Sequence, residues 1–496
     1  MHASREEEPN KAGFAIAIIG AGFAGIGMAI RLKKAGIHAF TLFERADSIG
    51  GTWRDNSYPG AACDVPSHVY SLSFEQNPSW SGRFAGSGEI QEHLLSLVKK
   101  WGLEEHLQLN TAITEADFDE TSGVWTLTTG KGERRPFRVV VSGVGGLVDP
   151  AYPEIKGLNS FQGTQFHTAR WNHEYDINGR NMAIIGTGAS AVQVVPAIAP
   201  QVKQLVVFQR TAAWVVRKWE KSYSTEAKGR LSRLPLLLRL LRALKYWLSE
   251  LLGTLVFFNS KRLSSVGEWL SMTHLRAQVK DPELRKKLTP SFQFGCKRVL
   301  LSDDYWATFE RENVELVTDQ ITEITADGIK TADGRLHRVD GIILATGFDL
   351  GLASAPFPIT GLGGKSLDEA WRDGASAYKG ITVNGFPNWF ILMGPNTGPG
   401  HTSVLIYTEA QINHALQAIK TLKKQGIKYL DIKEEVQERY NTGIQKRMKN
   451  TAWLSGCKSW YLSEDGINRT LYPGFATEYV LRTRTLKLSD YDVVPF

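Results

Sequence analysis

Short apolar runs punctuate the chain at residues 14–19, 39–43, 138–144, 181–185, 205–209, 314–319 and 341–346. They are nearly continuous rather than alternating, as strands buried on both faces require, so parallel sheets covered by helices are predicted. A different pattern holds at 112–129, where apolar and polar positions alternate and predict a small antiparallel excursion. Helices are expected around 89–101 and from Thr402 or Ser403, as N-cap, to about Lys424. Residues 218–290 lose the strand–helix rhythm. Within them, 234–258 reads LPLLLRLLRALKYWLSELLGTLVFF, with Arg239, Arg242, Lys245, Ser249 and Glu250 inside a band of about 140° at 100° per residue. Such a helix is expected to cover a hydrophobic cavity of the protein, the alternative being a peripheral position on a membrane surface. The fold class that follows is α/β, two Rossmann-like dinucleotide-binding domains with a helical insertion.

Two of the apolar runs feed glycine turns. The first enters GAGFAG (Gly20, Gly22, Gly25) and the fourth enters GTGASA (Gly186, Thr187, Gly188, Ala189, Ser190), each followed by an amphipathic stretch. In such a turn the first glycine permits the sharp bend and the second lets a pyrophosphate approach the backbone. The phosphates then meet a helix N-terminus. In both copies 24 residues separate the first glycine from the end of the next strand, but that end is Glu44 in one and Arg210 in the other. Glu44 would repel a phosphate and can accept from a ribose hydroxyl, as FAD requires. Arg210, with the Thr211 hydroxyl, would bind the 2′-phosphate that distinguishes NADP from NAD.

At 496 residues the chain is long enough for two or three domains, and 42% hydrophobic with 22% charged residues is the composition of a globular protein. A net charge of +7 is a mild excess and does not argue for nucleic acid. Cys63, Cys296 and Cys457 are far apart without a CxxC, so spacing encodes neither a zinc site nor a redox dithiol, and a reducing cytoplasm is expected. No metal site is expected. The charged start, MHASREEEPNKAG, has no apolar core of a signal peptide, and no stretch of 18 uncharged apolar residues predicts a spanning helix.

The segment between the two glycine folds, FQGTQFHTARW at 161–171, resembles the fingerprint of the type I Baeyer-Villiger monooxygenases, relatives of the flavin-containing monooxygenases. Phe161, Gly163, His167 and Trp171 carry the match, while Asn172 stands where the family usually has Pro or Asp. The resemblance extends to the ordered loop at 50–70, whose Thr52, Trp53, Asp64 and Tyr70 match a segment passing over the isoalloxazine ring. In FQFGCKRVLL, Lys297 matches a second 2′-phosphate contact and Arg298 the catalytic arginine. ATGFD at 345–349 matches a second linker, and Trp460 a contact to the nicotinamide ribose. The implied domains are 1–147 with 385–496 for FAD, 148–217 with 291–384 for NADP, and 218–290 as a helical insertion or lid.

The resemblance implies an FAD- and NADPH-dependent Baeyer-Villiger monooxygenase that uses dioxygen, through a flavin 4a-peroxide, to convert a ketone to an ester or lactone. Arg298 would supply a fixed positive charge to the anionic oxidant, with Asp64 holding its guanidinium in a bidentate pair. His167 and Trp171 are expected to serve the linker rather than proton chemistry. The alternatives are a flavin-containing monooxygenase acting on soft nitrogen or sulfur and a non-oxygenating NADPH-dependent flavoprotein. A disulfide reductase is disfavoured by the missing CxxC. The chain is expected to be a monomer or a weak homo-oligomer.

Overall fold

The computed structural model of the chain describes residues 14–257, 260–349, 356–457, 459–463 and 465–496. The charged stretch 1–13 and Phe258, the last residue of the predicted insertion helix, lie outside the described residues.

Two five-stranded parallel sheets carry the fold. In the first, the strand order is Trp389–Ile391, Val139–Ser142, Ile16–Ile19, Phe40–Phe43 and Leu107–Gln108. In the second it is Val314–Val317, Gln204–Phe208, Asn181–Ile185, Gly341–Leu344 and Thr164–His167. The central strands are buried along their whole length, which is why they read as unbroken apolar runs. The alternating region becomes three antiparallel strands, Ile113–Asp119, Val124–Thr129 and Arg134–Phe137, that cover one face of the first sheet.

Several expectations change. The fingerprint at 161–171 is more than a connector, because Thr164–His167 is the edge strand of the second sheet, paired with Gly341–Leu344. Its Phe161 and Phe166 are buried in the core on opposite faces of that sheet, and this burial draws the segment in. The 50–70 loop contains one helical turn, Thr52–Asp55. Ahead of residue 385, Phe357, Ile359, Leu367, Ala377 and Val383 already pack with Ala17, Ile19 and Val140 of the first core. Ile359–Thr360 also extends the antiparallel excursion. On that packing we propose that the first fold resumes ahead of Phe357. The two linkers between the folds run side by side: Ala151 N–H donates to Gly347 O at 2.9 Å, Asp349 N–H to Asp149 O at 2.9 Å, and the Thr346 hydroxyl to Ala151 O at 2.6 Å.

The insertion consists of Thr225–Arg233, Pro235–Phe257, Lys261–Gln278 and Pro282–Leu288. The long helix is mounted opposite to expectation, with its polar band against the protein. Arg242 donates to His68 O and Val69 O at 2.8 and 2.9 Å, and Lys245 to the Tyr223 hydroxyl at 2.8 Å. Ser249 meets Thr402 at 2.9 Å. Glu250, buried, accepts from the backbone N–H groups of Ala476 and Thr477 at 3.0 and 3.2 Å, so one helix caps the N-terminus of another, Ala476–Thr483. The reason is the surface beneath, which offers carbonyls, hydroxyls and free helix N–H groups beside the aromatic cluster on which Tyr246 packs. Of the predicted polar set, only Arg239 is exposed.

Cys296 and Cys457 form a disulfide across 161 positions, with Cα atoms 6.2 Å apart, while Cys63 is free and buried. Local spacing had encoded no such pair. The bond ties a turn of the second fold to the C-terminal part of the first, and closing so long a loop is commonly worth about 2–4 kcal/mol. Cys457→Ser, and the wild type in reductant, should therefore melt earlier than the oxidised wild type, read as a thermal scan at fixed rate. Equal melting with and without reductant would show that the cross-link adds nothing to stability.

Candidate active site

The two glycine turns show one construction. Gly20 has φ +96° and a Cβ there would lie 2.6 Å from Gly143 O; Gly186 has φ +115° and a Cβ would lie 2.4 Å from Ala345 O. Both first glycines are thus required by the protein itself. At Gly25 a Cβ would come within 1.9 Å of Gly20 O, so the third glycine is required by helix packing. The second glycines differ. Gly22 and Gly188 have extended backbone (φ −86° and −82°) that any residue adopts, and an added Cβ meets no atom nearer than 3.9 Å at Gly22 and none within 4 Å at Gly188. Nothing in the chain needs these two to be glycine. The helices they open, Phe23–Lys34 and Ala189–Ile198, have no side-chain cap and no acidic residue in the first turn. Small residues beside uncapped N–H groups fit a pyrophosphate approaching the backbone.

The strand-end residues keep their contrast. Glu44 is buried and accepts from Ala21 N–H at 2.9 Å, Ala46 N–H at 3.1 Å and Arg54 at 3.2 Å. Arg210 is exposed beside Lys297, whose ammonium lies 4.8 Å from the centre of the Phe292 ring and whose pKa is lowered by burial and by the charge of Arg210. The two cations put positive charge at this strand end, and Thr187, at the glycine turn, donates to Thr211 O at 3.0 Å. Ala189 is exposed and Ser190 half-buried at the start of the helix behind them.

Between the two cradles stands the pair Asp64 and Arg298. Arg298 Nε donates to Oδ2 at 3.1 Å, and Nη2 to Oδ1 and Oδ2 at 2.8 and 2.6 Å, across 234 positions of sequence. The Asp64 carboxylate raises the guanidinium pKa further still, against the opposing effect of burial. The loop carrying Asp64 is fastened to the second fold by Gln193, which accepts from the Tyr58 hydroxyl at 2.9 Å and donates to Ala62 O at 2.9 Å. Trp53 Nε1 donates to the Tyr70 hydroxyl at 3.0 Å inside the same loop, and Thr52 lies half-buried beside it. Tyr461 is buried within the field of Arg298; burial pushes its hydroxyl up to about 12, with Arg298 pulling it back.

The fingerprint residues hold the linkers in place. A Cβ on Gly163 would lie 2.5 Å from Asp340 O and 2.6 Å from the Phe161 ring. Trp171 packs edge-on against Phe166 at 4.9 Å. His167 is buried between Tyr152 and Phe348, one from each linker, and its Nδ1 accepts from Ala169 N–H at 3.1 Å. Burial and Arg170 push its pKa down to about 4, so the ring is neutral at working pH. Asn172 accepts from Glu174 N–H at 3.0 Å and so closes a turn, a role open to Asp as well. Trp460, 49% exposed, lines an open cleft of about 400 Å³ with Pro150, Ala151, Tyr152, Phe348 and Asp349. A larger hollow of about 740 Å³ lies along 153–160, away from Asp64 and Arg298.

Sequence reasoning did not find Gln193, Tyr461 or the disulfide. Gln193 carries no local signal. Cys296 and Cys457 did, because each adjoins a segment expected at the same site, one ending in Lys297 and Arg298 and the other in Trp460.

Residues 13–446 match the model of the flavin-binding monooxygenase-like family. A Baeyer-Villiger monooxygenase of Pseudomonas aeruginosa is 44% identical over 96% of this chain and 90% of its own length. One of Streptomyces coelicolor is 40% identical over 97% and 92%. Among solved structures, OTEMO in complex with FAD and NADP superposes with a TM-score of 0.88 at 28% identity, covering 97% of this chain and 99% of that one.

The glycine geometry separates two variants. Gly25→Ala forces a methyl into Gly20 O, and overpacking of this kind commonly costs about 1–3 kcal/mol or more, so it should lower folded yield. Gly22→Ala should fold normally and lose flavin affinity by at least about tenfold, or 1.4 kcal/mol. Melting curves and bound-flavin absorbance measured side by side check this, and a Gly22→Ala protein with full flavin content would rule out the close approach.

Proposed function

Because this chain belongs to the flavin-binding monooxygenase-like family and is an FAD- and NADPH-dependent Baeyer-Villiger monooxygenase, we propose that its oxygen insertion turns on Arg298 as positioned by Asp64. The observation that carries this reading is the bidentate pair itself, made between the loop of the first fold and a turn of the second. FAD bound here would supply the redox chemistry by which NADPH, a proton and dioxygen convert a small-molecule ketone to an ester or lactone, one oxygen atom entering the product and the other leaving as water.

Arg298 keeps its charge at every working pH, so it would offer a counter-charge to negative charge arising at the site without giving up a proton. The same charge stabilises the negative charge that develops on the ketone oxygen under attack. Asp64 fixes the plane of the guanidinium, and Gln193 with Tyr58 fixes the loop that holds Asp64. Gly20, Gly22, Gly25 and Glu44 would hold the FAD pyrophosphate and ribose, with Thr52, Trp53 and Tyr70 in the loop beside the flavin. Gly186, Thr187, Gly188, Ala189 and Ser190 would hold the NADP pyrophosphate. Arg210, Thr211 and Lys297 would take the 2′-phosphate, and Trp460 the nicotinamide ribose. Phe161, Gly163, His167 and Trp171 would maintain the angle between the folds. A monomer or weak homo-oligomer completes the reading; the Cys296–Cys457 bond removes the cysteine argument for a reducing cytoplasm.

Cofactor choice is tested by Arg210→Ala. Loss of a charge-assisted contact worth about 1.5–3 kcal/mol should raise KM for NADPH about tenfold or more and leave that for NADH nearly unchanged. Equal use of both coenzymes by the wild type would remove the assignment.

The chemical step is tested by Arg298→Ala. It should bind FAD and oxidise NADPH yet form ester about a hundred to a thousand times more slowly, with oxygen recovered mainly as hydrogen peroxide. Arg298→Lys should rescue only in part, since an ammonium lacks the planar fork that Asp64 grips. Following ketone conversion, peroxide and flavin spectra together decides the matter; ester at the wild-type rate from Arg298→Ala would shift the reading to electrophilic oxygenation of nitrogen or sulfur.

A further inference from the structure

The polar side of Pro235–Phe257 is used up against the protein, and what it leaves outside is apolar. Leu236, Leu240, Leu244, Trp247 and Leu251 are 69%, 59%, 67%, 58% and 66% exposed. They recur at helical spacing, and with Leu237, Leu248 and Leu252 they fill an arc of about 160° along about 24 Å of helix. The following helix, Lys261–Gln278, adds Val266, Trp269 and Leu270 at 48%, 62% and 40%. A globular surface rarely leaves so continuous an apolar stripe in water.

Charge identifies what covers it. The insertion, residues 225–288, holds thirteen Lys and Arg but only five Asp and Glu, a net +8 against +7 for the whole chain, so the rest carries almost no net charge. Arg230, Arg233, Arg239, Lys261, Arg262 and Arg276 are exposed there. A second copy of the chain docking about a twofold axis would set this basic patch against itself. An anionic lipid surface meets both demands, taking the leucines and tryptophans into the acyl boundary and the cations among the headgroups. We propose that the insertion seats the enzyme on an anionic lipid surface, with Pro235–Phe257 lying in the plane of the interface. No described helix is long and apolar enough to cross a membrane, so the contact is peripheral. The docked helix is hydrogen-bonded to His68 and Val69, four and five residues beyond Asp64, and to Thr402 beside the N-cap of Val404–Gln425. The proposed lipid contact therefore lies on the element braced against the Asp64 loop.

The test is flotation of the full-length, FAD-loaded enzyme with vesicles. Phosphatidylcholine carrying about a third phosphatidylglycerol should lift the wild type, while phosphatidylcholine alone, or the anionic vesicles in high salt, should lift about a tenth as much. The triple variant Leu240→Ser, Leu244→Ser, Trp247→Ser should lose binding at least about tenfold with NADPH oxidation in buffer unchanged. Arg233→Ser with Lys261→Ser and Arg262→Ser should weaken binding to the anionic vesicles alone. A wild type left behind by anionic vesicles overturns the proposal, as does a triple variant that floats as well as the wild type. A wild-type dimer that ignores vesicles and is split by the triple variant also overturns it, and assigns the face to a second copy.

Discussion

The pairing of Asp64 with Arg298 is the constraint around which the two folds are arranged. A guanidinium with three hydrogen bonds to one carboxylate fixes distance and plane together, and here the partners come from different sheets. Any shift of one fold against the other breaks that fork. The surrounding structure opposes such a shift at separate points: Gln193 between the Asp64 loop and the second glycine helix, the paired linkers at 149–151 and 346–349, and the Cys296–Cys457 bond next to Arg298 itself. His167, neutral and wedged between Tyr152 and Phe348, belongs to the same restraint.

Preorganisation of this kind suits the role proposed for Arg298, a fixed charge that moves no proton. In the proposed reading the field of Arg298 is set by where it is held, and it is held by the Asp64 carboxylate on a loop fastened by the neutral amide of Gln193. Tyr461 is buried in the same field, and burial raises its hydroxyl pKa while Arg298 opposes the rise.

The insertion helix follows from a different balance. Its carboxylate and cations find buried partners underneath, Glu250 on helix N–H groups and Arg242 on backbone carbonyls, and turning leucines inward instead would leave those buried polar groups without partners, at a cost of about 1–3 kcal/mol each. The apolar face is therefore left outside. Here the fold departs from the usual rule for an amphipathic helix, and the departure coincides with the region that carries the chain's excess of positive charge.

Sequence alone determined whatever depends on neighbours along the chain. Unbroken apolar runs marked the parallel strands, the glycine turns marked two strand-to-helix junctions, and Glu44 against Arg210 at equal spacing gave those junctions opposite charge. Those signals are local because strand burial, turn conformation and helix N-termini are local. Tertiary structure decided the rest: that 161–171 supplies an edge strand, that Phe357 already belongs to the first core, that Cys296 meets Cys457, and that the insertion helix turns its leucines outward. Periodicity fixes which residues share a helix face, but not what that face meets. That depends on groups far away in sequence, at His68, Thr402 and Ala476, and only the folded chain brings them together.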